Sequence, residues 1–208
     1  MPTPARRERQ LLCDLALEVG PDHPTLSGSW TVRELVAHLL VRERSPLGAP
    51  GLVVGPLAGL TERLTQRTAQ GDFEALVAKL RRARSPLALP GVDPLVNTIE
   101  FFVHHEDIRR TRPGWAPRDL DRRTVSALWA AIRVGGRALV RPAGVPVTIR
   151  RSDTGDRASL RAGDDPVLLT GPVGELVLFL YGRAEVVGLE FTGPPRAVAA
   201  LQRASLGL

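Results

Sequence analysis

VDPLVNTIEFFVHHEDIRRTRPGW, residues 92–115, decides how the rest of the chain must be arranged. Asp93-Pro94 supplies an N-cap followed by a proline in the first turn, and Pro113-Gly114 ends the run, so the spacing predicts a helix from about Asp93 to Arg112. At about 100° per residue, Glu100, His104 and Asp107 fall within roughly 60° of one another, with Val96, Phe101, Val103 and Ile108 on either side. Three ionisable groups therefore lie in an apolar stripe. A carboxylate there is costly unless it is paired, hydrogen-bonded or coordinating a cation, so another element has to bring it a partner.

That element is the segment beginning WTVRELVAHLL at Trp30. Thr31 and Glu34 form a T-x-x-E capping box, and Val32, Leu35, Val36, Leu39 and Leu40 repeat with helical spacing. His38 lies at the edge of this stripe, one turn before Arg42, and can turn inward. With Glu100 and His104 it makes a set of two imidazoles and one carboxylate, which suits Zn²⁺ and admits Ni²⁺, Co²⁺, Mn²⁺ or Fe²⁺. Three protein ligands leave a coordination position open, the arrangement of a catalytic site; a cysteine-rich structural zinc site is out of reach for a chain whose one cysteine is Cys13. Asp107 is expected as a fourth ligand or, in preference, as a group that orients a ligating imidazole or bonds substrate. His105, about 100° further round the helix, is expected at the rim. Glu106 is expected to be a solvated partner for Arg109 or Arg110. Arg109, Arg110 and Arg112 complement the negative end of the helix dipole, with anion binding as a second role for Arg109.

Around these two helices the chain divides by pattern. A first helix over residues 3–19 carries an apolar face of Leu11, Leu12, Leu15 and Leu17, on which Cys13 reads as a small core residue. Residues 22–29 read as a loop with a solvated His23, and the Pro/Gly-rich Ser45 to Gly55 as another. Two helices follow, Leu57 to Gln70 and Phe73 to Ala83, the second with Asp72 as N-cap, and a further one runs from about Asp119 to Val140. Beyond Pro142 the spacing shifts to short alternating runs: strands at 145–150, 158–161, 167–169 and 187–191, with helices at 172–183 and 194–206. The expectation is a mainly α protein, with a helical metal-binding domain over residues 1–141 and a small α+β domain over 142–208.

Composition narrows the classes. With 208 residues, 43% of them hydrophobic, the chain can bury a sizeable core. No run of 18 apolar residues is present, and MPTPARRERQ is not followed by the apolar stretch of a signal peptide, so a cytoplasmic protein without a membrane partner is expected. The 28 Lys and Arg against 22 Asp and Glu leave +6, but the arginines are dispersed, they adjoin acids as at Arg42-Glu43-Arg44, and aromatics are only 4%, which argues against a nucleic-acid surface. Abundant Arg, Ala, Gly and Pro with almost no Lys fits the coding bias of a GC-rich genome.

Three segments, WTVRELVAH at 30–38, EFFVHHEDIRR at 100–110 and LTGPVGELVLFLYGR at 169–183, resemble the mycothiol-dependent maleylpyruvate isomerase family within the DinB-like helical bundles, and are most similar to a metal-binding subgroup typical of actinobacteria. The resemblance spans nearly the whole chain. It implies a DinB-like four-helix bundle carrying a divalent metal, followed by a small α/β C-terminal domain, and it places the ligands at His38, Glu100 and His104, the same three chosen from the residues. It also implies mycothiol, whose metal-bound thiol loses its proton readily, acting on an electrophilic substrate. The doubled His104-His105 and the Arg42-Glu43-Arg44-Ser45-Pro46 run depart from the characterised isomerase, so metal binding carries over and substrate identity does not. The expected function is a metal-dependent, thiol-using isomerase or S-transferase, with Glu100 and Asp107 at the reaction centre and Arg42 or Arg109 holding an anionic group. The alternatives are a metal-binding or sensing module without turnover, and a buried polar network holding no metal.

Overall fold

Eight helices and four strands make up the structure, a computed structural model that describes residues 2–44, 58–83 and 93–207. The helices are α1 (Pro4–Val19), α2 (Val32–Arg44), α3 (Ala58–Ala69), α4 (Phe73–Arg82), α5 (Asp93–Arg109), α6 (Arg122–Leu139), α7 (Val173–Leu180) and α8 (Pro195–Arg203). The strands are β1 (Val147–Arg151), β2 (Arg157–Arg161), β3 (Val167–Gly171) and β4 (Glu190–Thr192). The chain separates into two compact units, residues 1–116 and 117–208. The expected loop over 45–55, Pro86 and Pro90 lie outside the described residues.

In the first unit, α1 packs most extensively on α5, and α2 lies against α3 and α4. Local rules set the entry to each helix. Thr3 caps α1 by accepting from the Arg6 N–H, Glu34 reaches back to the Thr31 N–H at 2.7 Å as the capping box requires, and Asp72 accepts from Ala75 at 2.8 Å. All five apolar positions expected of α2, Val32, Leu35, Val36, Leu39 and Leu40, are buried, together with Leu12, Cys13, Leu15, Phe73, Leu76, Val77, Leu80, Phe101 and Ile108. Leu17, expected on the buried face of α1, stands 47% exposed, and Ala16 takes the inward position instead.

Two arginines tie these helices together. Arg33 donates to the carbonyls of Ala69 and Gly71 and lies 5.6 Å from the Phe73 ring centroid, anchoring α2 to the α3–α4 turn. Arg9 pairs with Glu43 at 2.7 Å, donates to the Ala83 carbonyl and covers the Phe101 ring, so one side chain of α1 touches both α2 and α5. Helix α5 ends at Arg109, three residues before the expected stop, and its last residues continue as a turn in which Arg112 N–H meets the Arg109 carbonyl.

The second compact unit begins at residue 117, whereas the expected domain boundary lies after residue 141. Helix α6, expected to close the N-terminal domain, packs on α7, β2 and the short 3₁₀ turn Arg141–Ala143, and so belongs with the strands. Its face of Leu128, Trp129, Ile132 and Leu139 is buried there, and Gly136 admits Leu160 so closely that an added Cβ would stand 2.8 Å from Leu160 Cδ2. The sheet order is β2-β1-β3-β4; β1 runs antiparallel to β2 and parallel to β3, and β4 is antiparallel to β3. The last strand is shorter than the spacing suggested. The Val187 N–H bonds the buried carboxylate of Glu175 at 3.0 Å and Gly188 takes a left-handed φ of 68°, which removes 187–189 from the ladder.

Candidate metal centre

Helix α2 carries His38 on the flank of its buried stripe, and α5 carries Glu100 and His104 one turn apart. Their potential ligand atoms all lie within 4.8 Å of one another, and each residue is partly buried. The His38 and His104 rings meet edge to face with centroids 5.8 Å apart, and His104 Nε2 is 3.5 Å from Glu100 Oε2. The sequence therefore identified the three groups that the two helices bring together, and among the described residues they form the one such cluster of three or more.

The groups around them fix their protonation. Burial would raise the Glu100 pKa, but the Arg42 guanidinium, with Nε 3.5 Å from Oε2, and the hydrogen bond from His104 prevail and pull it down to about 2. Burial likewise disfavours charge on His104, yet hydrogen bonds to Asp107 and Glu100 hold its proton and push the pKa up to about 9. His38 goes the other way, down to about 4, through burial first and then the neighbouring His104 charge. Arg42 and His104 are thus the positive partners of the Glu100 carboxylate. Glu100, His38 and His104 would be the residues to hold a divalent ion, whose charge would offset that of the Glu100 carboxylate.

Asp107 is fully buried and faces the far side of the His104 ring: its Oδ2 is 3.0 Å from Nδ1, which leaves Nε2 toward Glu100 and His38. The same oxygen accepts a 2.7 Å hydrogen bond from Ser27 Oγ. Arg42 Nη1 donates to Asn97 Oδ1 at 2.9 Å, so the guanidinium is held between Asn97 and Glu100 at the edge of the cluster. Arg109 is directed elsewhere: it donates to both oxygens of Glu106 and to the Ala116 carbonyl.

Two expectations fail for one reason. His105 is buried rather than at a rim, with Nδ1 3.3 Å from Glu8 Oε2, and Glu106 is buried rather than solvated, although its partners are Arg109 and Arg110 as expected. Helix α5 is enclosed on nearly every side, so a polar group at any angle around it meets another element instead of water. His23, read as solvated, is half-buried with Nε2 3.0 Å from Thr111 Oγ1. Sequence reasoning missed Ser27, Trp30 and Asn97 as neighbours of the centre. Trp30 stands next to the capping box, and its ring centroid is 4.8 Å from that of His38. Ser27 and Asn97 have no local pattern that marks them.

No protein-family model matches the chain, and no curated protein matches it in sequence. Among solved structures, the crystal structure of the mycothiol-dependent maleylpyruvate isomerase aligns with a TM-score of 0.62 and 16% identity, over 91% of this chain and 90% of that one. The two share a fold. The structure of a mutant of the same isomerase aligns equally well, with a TM-score of 0.62, 15% identity and the same coverage. At such identity the likeness reaches the fold and stops there. Among the described residues, no helix is long and apolar enough to cross a membrane.

Proposed function

We propose that the chain is a divalent-metal protein that uses a small-molecule thiol, mycothiol being the first candidate, in an isomerase or S-transferase reaction on an electrophilic substrate. The observation that carries the reading is the convergence of His38, Glu100 and His104 within 4.8 Å, with Asp107 behind the second imidazole. The donor set fits a divalent ion: two imidazoles and one carboxylate are the ligands of open zinc sites, and zinc is the metal they suit best. His38, uncharged at neutral pH, would offer a lone pair without first losing a proton. Asp107 would keep the His104 ring oriented with Nε2 toward the metal. When bound, the metal would supply Lewis acidity and lower the pKa of a coordinated thiol, giving a nucleophile at neutral pH.

The remaining residues act on what approaches. Arg42 would pair with an anionic group of substrate or cofactor while Asn97 holds its guanidinium in place. The shared fold with the mycothiol-dependent isomerase supports this assignment of a thiol and the reading of the N-terminal helices as a DinB-like bundle. Metal analysis of the purified chain followed by calorimetric titration with mycothiol tests it. Stoichiometric metal, saturable thiol binding that needs the metal, and consumption of an electrophile that fails in Glu100→Gln are expected. Metal and thiol binding with no turnover across a panel of electrophiles would point instead to a binding or sensing module, and metal-free protein from metal-replete growth would end both readings.

A further inference from the structure

The connection between α1 and α2 closes on itself. Thr25 Oγ1 donates to the Trp30 carbonyl at 2.8 Å and accepts from the Ser27 N–H at 3.2 Å, and the Trp30 N–H meets the Ser27 carbonyl at 3.2 Å. Pro24 and Thr31 form a bridge across its base. This short, internally bonded loop leads directly into the helix that carries His38, and it is bonded to the helix that carries Glu100 and His104. The Leu26 N–H bonds the Asp107 carbonyl at 3.1 Å, and Ser27 Oγ bonds the Asp107 carboxylate at 2.7 Å and lies 3.4 Å from His104 Nδ1. At the other end of the loop the Trp30 ring rests against the His38 ring.

From this double attachment we infer that residues 25–30 form a clamp that sets the geometry of the metal site, with Ser27 as a positioning residue acting on His104 through Asp107. The inference rests on the metal reading above. An imidazole that binds a metal through one nitrogen is aligned by what the other nitrogen meets, and here that partner is one oxygen of a carboxylate whose own direction is set by Ser27. Asp107 is fully buried and cannot turn to water for a substitute donor. Losing the Ser27 hydroxyl therefore removes one of the hydrogen bonds that direct this carboxylate, and so weakens the alignment of the His104 ring that it meets. The loop thus adds directional bonds to the apolar packing and to the Arg42 contacts with Asn97 and Glu100 that already join the two ligand helices.

The test uses the full chain loaded with Co²⁺ in place of zinc, because the visible absorption of cobalt reports ligand geometry independently of any activity. Compared with wild type, Ser27→Ala should bind Co²⁺ about 10- to 100-fold more weakly, with a shifted visible band, while its helical circular dichroism is unchanged. Ser27→Thr, which restores the hydroxyl, should recover the wild-type constant and band. If Ser27→Ala does not fold, Asp107→Asn probes the same chain from its other end and should show the same weakening. A wild type that binds cobalt alongside a folded Ser27→Ala with the same constant and spectrum would overturn the clamp and leave the metal reading standing. A wild type that takes up no cobalt would remove both.

Discussion

At the scale of single residues, the metal reading makes sharp demands. His38→Ala or His104→Ala is expected to lower metal affinity by more than about 100-fold, the upper end of what an outer partner costs, as checked by metal analysis after dialysis. Arg42→Met should separate two states of the same protein. Without metal, Arg42 is a counter-charge for a carboxylate drawn largely out of water, and its loss should cost on the order of 1–3 kcal/mol in urea unfolding; with metal bound, the cation supplies that compensation and the cost should shrink. Cys13 gives a pH test remote from this chemistry. Burial pushes its thiol up to about 11 from 9.0, so the folded state favours the protonated form. The resulting stability is fully present below pH 9 and is lost as pH rises toward 11. Between pH 8.5 and 10.5 wild type should therefore lose more stability than Cys13→Ala, measured by urea midpoints on both proteins.

Among the elements, α2 and α5 were legible in the sequence to different degrees. The capping box and five repeating apolar positions of α2 gave its start and buried face directly, since both are local rules. Glu34→Ala is expected to cost about 1 kcal/mol in thermal or urea unfolding, because it leaves the Thr31 N–H without its partner at the first turn below His38. The ligands of α5 could be read because they fall on one face. The fates of His105 and Glu106 could not, because periodicity gives the angle of a side chain but not which element waits at that angle: for His105 it is Glu8 on α1, 97 residues earlier. Ser27 was hidden for the same reason, since its partner Asp107 lies 80 residues away in sequence. The end of α6 was foreseen, but its allegiance depended on Gly136 receiving Leu160, a tertiary fit with no sequence signature.

For the molecule as a whole, every candidate ligand and every group that orients one belongs to residues 1–116. Metal addition should accordingly slow amide hydrogen exchange in residues 22–44 and 93–109, the clamp and the two ligand helices, when the exchange of loaded and chelator-treated protein is compared by mass spectrometry. The converse prediction concerns the other unit. Gly136→Val forces a branched side chain against the buried Leu160 and should cost about 1–3 kcal/mol by thermal unfolding, yet leave metal affinity at its wild-type value. One contact described above also provides a native optical gauge. The chain has three tryptophans, of which Trp30 alone stacks on a candidate ligand, 4.8 Å from the His38 ring. A paramagnetic ion such as Cu²⁺ or Ni²⁺ arriving at His38 would quench the emission of that indole, so occupancy of the centre can be followed by fluorescence in unlabelled protein.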